Sequence, residues 1–267
     1  MSNQINQHWH WQACQDYSYL TCKLLSAWQH GFFTKEFYPG TPEDLSSILQ
    51  PHTTPYRVKQ VHGNLVLTPK EIVDVVKQAN SHNSLAEADA IISDRPQQSV
   101  WVASADCTPI LIGDVVTRQV CAIHAGWRGT AQKIVYQAIA RFLKFGSQTQ
   151  NLRIAIGPAI AGEVYQVDES VAIKVGQSII LDADHKTDSE ILTELKQFSQ
   201  TPILKDALPG KVRLNVTRIN QIQLEQLDIS SEHIAIAPYC TFQQSDRFFS
   251  YRRTGKKKVQ WSGIVSQ

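Results

Sequence analysis

The stretch that decides the fold runs from Ser99 to Phe145: SVWVASADCTPILIGDVVTRQVCAIHAGWRGTAQKIVYQAIARFLKF. Its first part holds three short apolar runs, SVWVAS, PILIGD and QVCAIHA, each bounded by turn-forming residues, which is the pattern of buried strands. The period then changes. In TAQKIVYQAIARFLKF the apolar residues Ile134, Val135, Ala138, Ile139, Phe142 and Leu143 recur three and four apart, which predicts an amphipathic helix beginning near Thr130. Cys107 follows the first run, and His124 ends the third, just before a Gly-Trp-Arg-Gly turn.

Outward from this segment the same mixture continues. The runs HWHWQA, YLTCKLL and HGFFTK read as early strands, and AII as a further one just ahead of the central stretch. Between Pro39 and Pro55 a short helix is expected, with its acidic residues early, as the helix dipole prefers. YRVKQVHG and NLVLT are read as two extended runs punctuated by Gly63, and QANSHNSLAEADA as a surface loop. Further on, LRIAIGPAI reads as a buried strand, DESVAIKVG as a short helix opened by Asp168, LNVTRINQIQLEQLDI as a longer helix and HIAIAPYC as a late strand. Strands and helices alternate irregularly. The expected fold class is therefore α/β (α+β), a layered sandwich with a central mixed β-sheet flanked by helices. With no repeat, low-complexity stretch or linker, one domain over residues 1–267 is the simplest organisation.

Composition narrows the function. A chain of 267 residues with 42% hydrophobic and 19% charged content is that of a globular protein with a full core. No run of about eighteen apolar residues is present, which argues against a membrane partner, and MSNQINQHWHWQ lacks the apolar core of a signal peptide. A cytoplasmic location is expected. Five scattered cysteines without a CxxC pair do not form a disulfide framework. A formal charge of +2 argues against nucleic acid as a partner. The segment RFFSYRRTGKKK nevertheless concentrates six cations between Arg247 and Lys258, either as a solvated tail or as a face for an anion.

The chemistry-bearing residues stand at strand ends. Cys107 and His124 do so in the central stretch, and His62 is expected to end the run YRVKQV. Three metal-capable side chains at the rim of a sheet converge on one ion if the strands neighbour one another; packed or surface groups are the alternative. A Cys-His hydrolase, with Cys107 as nucleophile and His124 as base, is another. Cys121, three residues before His124, points to the opposite face of the strand and belongs to packing. Arg128 opens the helix and suits an oxyanion, or pairs with a carboxylate. Arg252 is a second anion candidate. Asp106 is expected to orient a ligand or a turn, Asp89 to support the ligands, contact substrate or stabilise a turn, and Trp127 to wall a pocket or pack.

The motifs KQVHG, EADAIISD, SADCTPILIGD, AIHAGWRGT, IGPAI and FFSYRR, in that order, resemble the YfiH-type laccase-domain family, a resemblance that spans roughly Gly31 to Arg253. Its members have been labelled multicopper polyphenol oxidases and later identified as purine nucleoside phosphorylases. The resemblance implies a layered α/β sandwich distantly like the catalytic domain of cytotoxic necrotizing factors. It also implies that His62, Cys107 and His124 bind Zn2+ and form the catalytic set, with Arg128, Arg252 and Asp89 as candidate substrate-binding residues. The implied reaction is phosphorolysis of adenosine, inosine, guanosine or S-methyl-5'-thioadenosine to free base and ribose 1-phosphate, with adenosine deamination as a second activity. The partners are then purine nucleosides and phosphate, and a monomer is expected, with a homodimer as the alternative.

Two departures stand out. Ala159 follows the Gly-Pro of IGPAI, where many members carry Cys or Ser, and TGKKKVQW follows SYRR, where many carry TGR. Of the rival readings, copper-dependent polyphenol oxidation fits poorly, since only nine histidines are present and Met1 is the sole methionine. The H-x-E and P-C-x-x-C signature of the zinc deaminases is missing. A metal-free Cys-His hydrolase and a non-catalytic zinc-containing nucleoside-binding protein remain, and metal content and turnover separate them.

Overall fold

The strands Gln98–Ser104, Thr108–Asp114 and Val120–Ala125 are buried along nearly their whole length. Burial on both faces requires a layer above and a layer below. The computed structural model, which describes residues 7–79 and 85–267, supplies both. Residues 80–84, within the loop expected around QANSHNSLAEADA, lie outside the described residues.

Two six-stranded sheets pack face to face. In the first the order is Trp9–Cys14, Tyr17–Cys22, His30–Phe33, Gln260–Val265, Gln98–Ser104 and Thr54–Tyr56, antiparallel except for the last pair. In the second it is Ile234–Ile236, Leu152–Ile156, Thr108–Asp114, Val120–Ala125, Ala90–Ile92 and Val66–Leu67, antiparallel in the centre and parallel at each edge. A smaller antiparallel sheet of Gln166–Asp168, Lys211–Leu214 and Ile203–Lys205 packs with the helices Glu169–Gly176 and Asp188–Gln197.

Period-two alternation sorts the side chains into layers. Leu20, Phe32, Val100, Val102 and Ile264 of the first sheet meet Ile91, Leu111, Ala122 and Ala155 of the second. The intervening residues Ile110, Ile112, Cys121 and Ile123 point outward onto Val135, Ala138, Ile139 and Phe142 of the helix Ile134–Lys144. On the far side, Tyr19, Phe33, Trp101 and Val265 pack on Leu45 and Leu49 of the helix Pro42–Leu49. The layered sandwich of mixed sheet and helices is therefore present, with its centre doubled into two sheets. Cys121 lies on the outward face, opposite His124, as its spacing requires.

Several elements differ from the sequence reading. Thr54–Tyr56 is a strand, but the chain from Arg57 to Gly63 forms no regular strand, and His62 sits in the left-handed region with φ 61°. The backbone N–H groups of Val61, His62 and Gly63 turn instead toward the Asp89 carboxylate. The expected helix near Thr130 begins earlier, as Trp127–Ala131 capped by Gly126, and is broken at Lys133, also left-handed, before Ile134–Lys144. Pro69–Gln78 is a helix that an extended reading of NLVLT did not anticipate; Thr68 and Glu71 form its capping box. The C-terminal strand Gln260–Val265 was not anticipated either, and lies centrally in the first sheet. Among the described residues no helix is long and apolar enough to cross a membrane.

One buried polar group ties the first sheet together. Cys22 N–H donates to His30 Nε2 at 2.8 Å, and His30 Nδ1 lies 2.8 Å from the Trp28 carbonyl. The neutral ring protonated on Nδ1 satisfies both. Burial holds the His30 pKa down to about 4, against which the two backbone bonds act only weakly. Because the unfolded chain binds a proton near pH 6.5 and the folded chain does not, this contribution is complete above that pH and is lost as pH falls toward 4. His30 is thus expected to remove about 3 kcal/mol of stability across that window. In urea unfolding followed from pH 7 to pH 4, His30→Gln should flatten this part of the slope; an unchanged slope would exclude His30 as its source.

Candidate metal centre and substrate cavity

Two of the three residues expected at the strand ends lie where the chain passes between the two sheets, and the third lies beside them. His62 is in the connection from Thr54–Tyr56 of the first sheet to Val66–Leu67 of the second. Cys107 ends the bend from Gln98–Ser104 to Thr108–Asp114, another passage from first sheet to second. His124 stands near the end of Val120–Ala125, beside that bend. The ligand atoms of His62, Cys107 and His124 lie within 4.8 Å of one another. Two imidazoles and a thiol at this spacing can hold one metal ion with a fourth position left open.

Asp89 organises the group from behind. It is wholly buried, and its carboxylate accepts the N–H groups of Val61 at 3.1 Å, His62 at 2.9 Å and Gly63 at 2.7 Å. Its Oδ1 also lies 2.9 Å from His124 Nδ1, which leaves Nε2 for the centre. Burial alone would raise the Asp89 pKa; His124 and the Gly63 N–H outweigh it and hold the group below the usual carboxylate range. Asp89 does not line the cavity and lies behind His62 and His124.

The glycines around His124 make room. A Cβ on Gly126 would lie 2.9 Å from Cys107 Sγ and 3.2 Å from the His62 ring, and one on Gly129 would lie 2.7 Å from the Gly63 carbonyl. The Gly-Trp-Arg-Gly segment is therefore in direct contact with the loop that carries His62. Electrostatics follow from the geometry. Burial opposes ionisation of Cys107, but the His124 and His62 rings prevail and bring its pKa down to about 6. Burial likewise opposes the charge on His124, while Cys107 and Asp89 lift its pKa to about 9.

The centre opens into a cavity of about 680 Å³, within the range of roughly 300–1,000 Å³ usual for ligand clefts. Its wall includes Trp127, Arg128, Tyr165, Tyr251, Arg252 and Trp261, together with Lys256, Lys257 and Lys258. Arg128 and Arg252, the two expected anion residues, both face it. The Arg128 guanidinium lies 4.4 Å from the Trp127 ring, and that of Arg252 4.7 Å from the Tyr165 ring while donating to the Gln166 carbonyl. The basic segment therefore lines the cavity rather than trailing from the fold.

Asp106 orients a turn, as anticipated, and one that matters here. With φ 107°, it accepts hydrogen bonds from Thr241 Oγ1, Ser250 Oγ and the Arg252 N–H, which fastens the SYRR segment beside Cys107. Arg253 is structural: its guanidinium donates to the carbonyls of Thr241, Phe242 and Phe248. Two cavity residues were missed in the sequence. Tyr165 belongs to no motif; burial, then the Cys107 thiolate, push its hydroxyl up to about 12. Gln60 bonds both the N–H and the carbonyl of Ala103, tying the His62 loop to the first sheet where a strand was expected.

The sequence profile of the family described as multi-copper polyphenol oxidoreductase laccase matches residues 43–266. The chain belongs to this family. It is 53% identical over 258 residues to a Synechocystis protein named purine nucleoside phosphorylase, covering 97% of each chain. A protein of the same name from Bacteroides thetaiotaomicron is 29% identical over 229 residues, 84% of this chain and 74% of that one. The fold is similar to that of YlmD from Geobacillus stearothermophilus, with a TM-score of 0.77, 21% identity and coverage of 96% and 98%. It is also similar to that of the YfiH protein of Bacillus licheniformis, with a TM-score of 0.75, 23% identity and coverage of 93% and 96%. The laccase-domain fold expected from the motifs is thereby established.

Asp89→Asn should lower metal affinity by about 10–100-fold, because it weakens the group that sets both histidines. Competition with a chromophoric chelator measures this, and wild-type affinity in the variant would remove Asp89 from that role. Cys107→Ser should lower bound metal and activity together, with part of the activity restored by added metal. Cys121→Ser, the control, should cost about 1 kcal/mol or more in unfolding and leave metal stoichiometry intact. Loss of metal in the Cys121 variant alone would reverse the assignment.

Proposed function

We propose that residues 1–267 form one cytoplasmic, monomeric domain that acts as a zinc-dependent purine nucleoside phosphorylase with adenosine deaminase activity. The observation that carries this reading is a His-Cys-His group facing a cavity whose wall bears both aromatic rings and cationic residues. The donor set, two imidazoles and one thiolate, suits Zn2+. A cluster of several coppers, as the older family label suggests, would require more ligands than this group; among the described residues it is the one metal-capable cluster of three or more. The names of the relatives support the phosphorylase reading.

Zn2+, when bound, supplies Lewis acidity and lowers the pKa of water toward about 7. The chain's own residues do the rest. Trp127, Tyr165, Tyr251 and Trp261 offer faces on which a purine can stack. Arg128 and Arg252 hold inorganic phosphate beside the sugar, the guanidinium fork matching two phosphate oxygens. Attack by a phosphate oxygen at C1' breaks the glycosidic bond, whose electron pair leaves with the base. Asp89 keeps His124 Nε2 directed at the centre by holding Nδ1. Deamination uses the same cavity with water directed at C6 of adenine, and needs no phosphate.

A second reading has an observation of its own. Asp89 bonds His124, which neighbours Cys107, and the depressed thiol pKa suits a metal-free Cys-His hydrolase. Against it stands His62, a second imidazole that a nucleophilic cysteine does not need and a metal does.

Metal-analysed protein incubated with adenosine, inosine, guanosine and methylthioadenosine, with and without phosphate, distinguishes these readings by their products. Free base and ribose 1-phosphate should form only with phosphate, and inosine should form from adenosine without it. Arg128→Ala should lower the phosphate-dependent rate by about tenfold or more and affect deamination far less. Turnover that withstands chelators would favour the hydrolase, and no turnover with retained nucleoside binding would favour a binding protein.

A further inference from the structure

The segment TGKKKVQW that follows SYRR places three consecutive lysines on the cavity that holds the metal-capable group. In a strand they would alternate between faces. Here all three line the cavity because residues 256–259 form a short strap, fixed at both ends. On one side Gly255 takes the left-handed conformation, φ 67°, and donates its N–H to the Tyr251 carbonyl at 2.7 Å, while the Lys256 N–H donates to Thr254 Oγ1. On the other, Gln260 bonds the N–H and carbonyl of Phe249 and opens the strand Gln260–Val265. Lys258 is further steadied by the rings of Tyr38 and Phe249, at 4.9 and 5.8 Å.

Charge is the second observation. Arg128, Arg252, Lys256, Lys257 and Lys258 all line the cavity, and among the described residues none makes an ion pair. The one carboxylate on the wall, Asp106, is already filled by Thr241, Ser250 and the Arg252 N–H. Like charges gathered along one wall repel one another, and an anion that joins them removes that cost. A single inorganic phosphate, a mixture of mono- and dianion near neutral pH, is matched by the two arginines. The lysines then remain unmatched. The lysines, like Arg128 and Arg252, are exposed whereas His124 is buried, so the cations stand toward the mouth of the cavity and the metal-capable group toward its floor.

We infer that Lys256, Lys257 and Lys258 form a second subsite, for a phosphate monoester carried by the substrate, so that the preferred substrate is a purine nucleoside 5'-phosphate. This rests on the phosphorylase reading above. Phosphorolysis of AMP breaks C1'–N9 and forms a C1'–O bond to inorganic phosphate. The electron pair goes to N9 of adenine, with a proton from solvent, and the other product is ribose 1,5-bisphosphate.

Calorimetric titration of the metal-loaded full-length protein with adenosine and with AMP tests the assignment. At low ionic strength AMP should bind about tenfold or more tightly than adenosine, an advantage that shrinks with added salt. K256A/K257A/K258A should bring the ratio of the two affinities to about one, and the triple arginine variant should retain it. Equal affinities in the wild type, or an advantage that survives the triple alanine variant, would overturn the inference. So would a raised KM for inorganic phosphate in that variant with adenosine as substrate, since the lysines would then hold the co-substrate. Adenosine phosphorolysed without any AMP preference rejects the subsite alone. Lysine-dependent AMP binding without release of base keeps the subsite and rejects the reaction, and binding of neither ligand rejects both.

Discussion

The arrangement depends on one buried carboxylate. Asp89 lies just before the strand Ala90–Ile92, and its side chain accepts three consecutive backbone N–H groups of the His62 loop together with His124 Nδ1. An isolated carboxylate without water would be costly; four donors make it tolerable and leave a fixed acceptor inside the fold. The loop in turn relinquishes strand geometry and places His62 in a left-handed conformation, which costs roughly 1–3 kcal/mol for a non-glycine residue. The three hydrogen bonds offset that cost. Two ligands from distant parts of the chain are thus set by one acceptor.

Around this acceptor, close approach does the rest. Gly126 and Gly129 let the Trp127 segment press against Cys107 and the His62 loop without a side chain between them. Asp106 performs for the C-terminal segment what Asp89 performs for the His62 loop, holding Ser250 and the Arg252 backbone so that the basic strap reaches the cavity. Two buried aspartates therefore position the ligands and the cationic wall respectively. The cavity brings the metal-capable group and the cationic wall together because Ala105–Cys107 and residues 57–65 both cross there from the first sheet to the second.

Much of this was legible in the sequence where local pattern and tertiary requirement coincide. The three apolar runs after Gln98 are strands, the three- and four-residue period after Lys133 is a helix, and Cys121 faces away from His124. The pattern misled where side chains replace backbone partners. Residues 57–63 look extended, yet beyond one isolated bridge at Lys59 their bonds are made through side chains, the Val61, His62 and Gly63 N–H groups to Asp89 and the Gln60 amide to Ala103. The helix Pro69–Gln78 carried a usable signal, the Thr68–Glu71 capping box, that the apolar run before it obscured. Tyr165 carried none, because a wall residue of a cavity needs only to be near it.

Residue types and their local order by themselves determined the layered α/β class, the faces of the central strands and the identity of the three metal-capable residues. The class and the strand faces follow from periodicity, and the three residues from motifs whose order resembles the laccase-domain family, all properties of the chain read along its length. Only the tertiary structure decided that there are two sheets, that Asp89 stands behind His62 and His124 and off the cavity wall, and that the lysines after Gly255 line the cavity. Each of these depends on which segments approach across long sequence separations, 27 residues for Asp89 and the His62 loop and 146 for Asp106 and Arg252. A hydrogen-bond donor in one segment does not specify in sequence which distant acceptor it will meet; packing of the two sheets does.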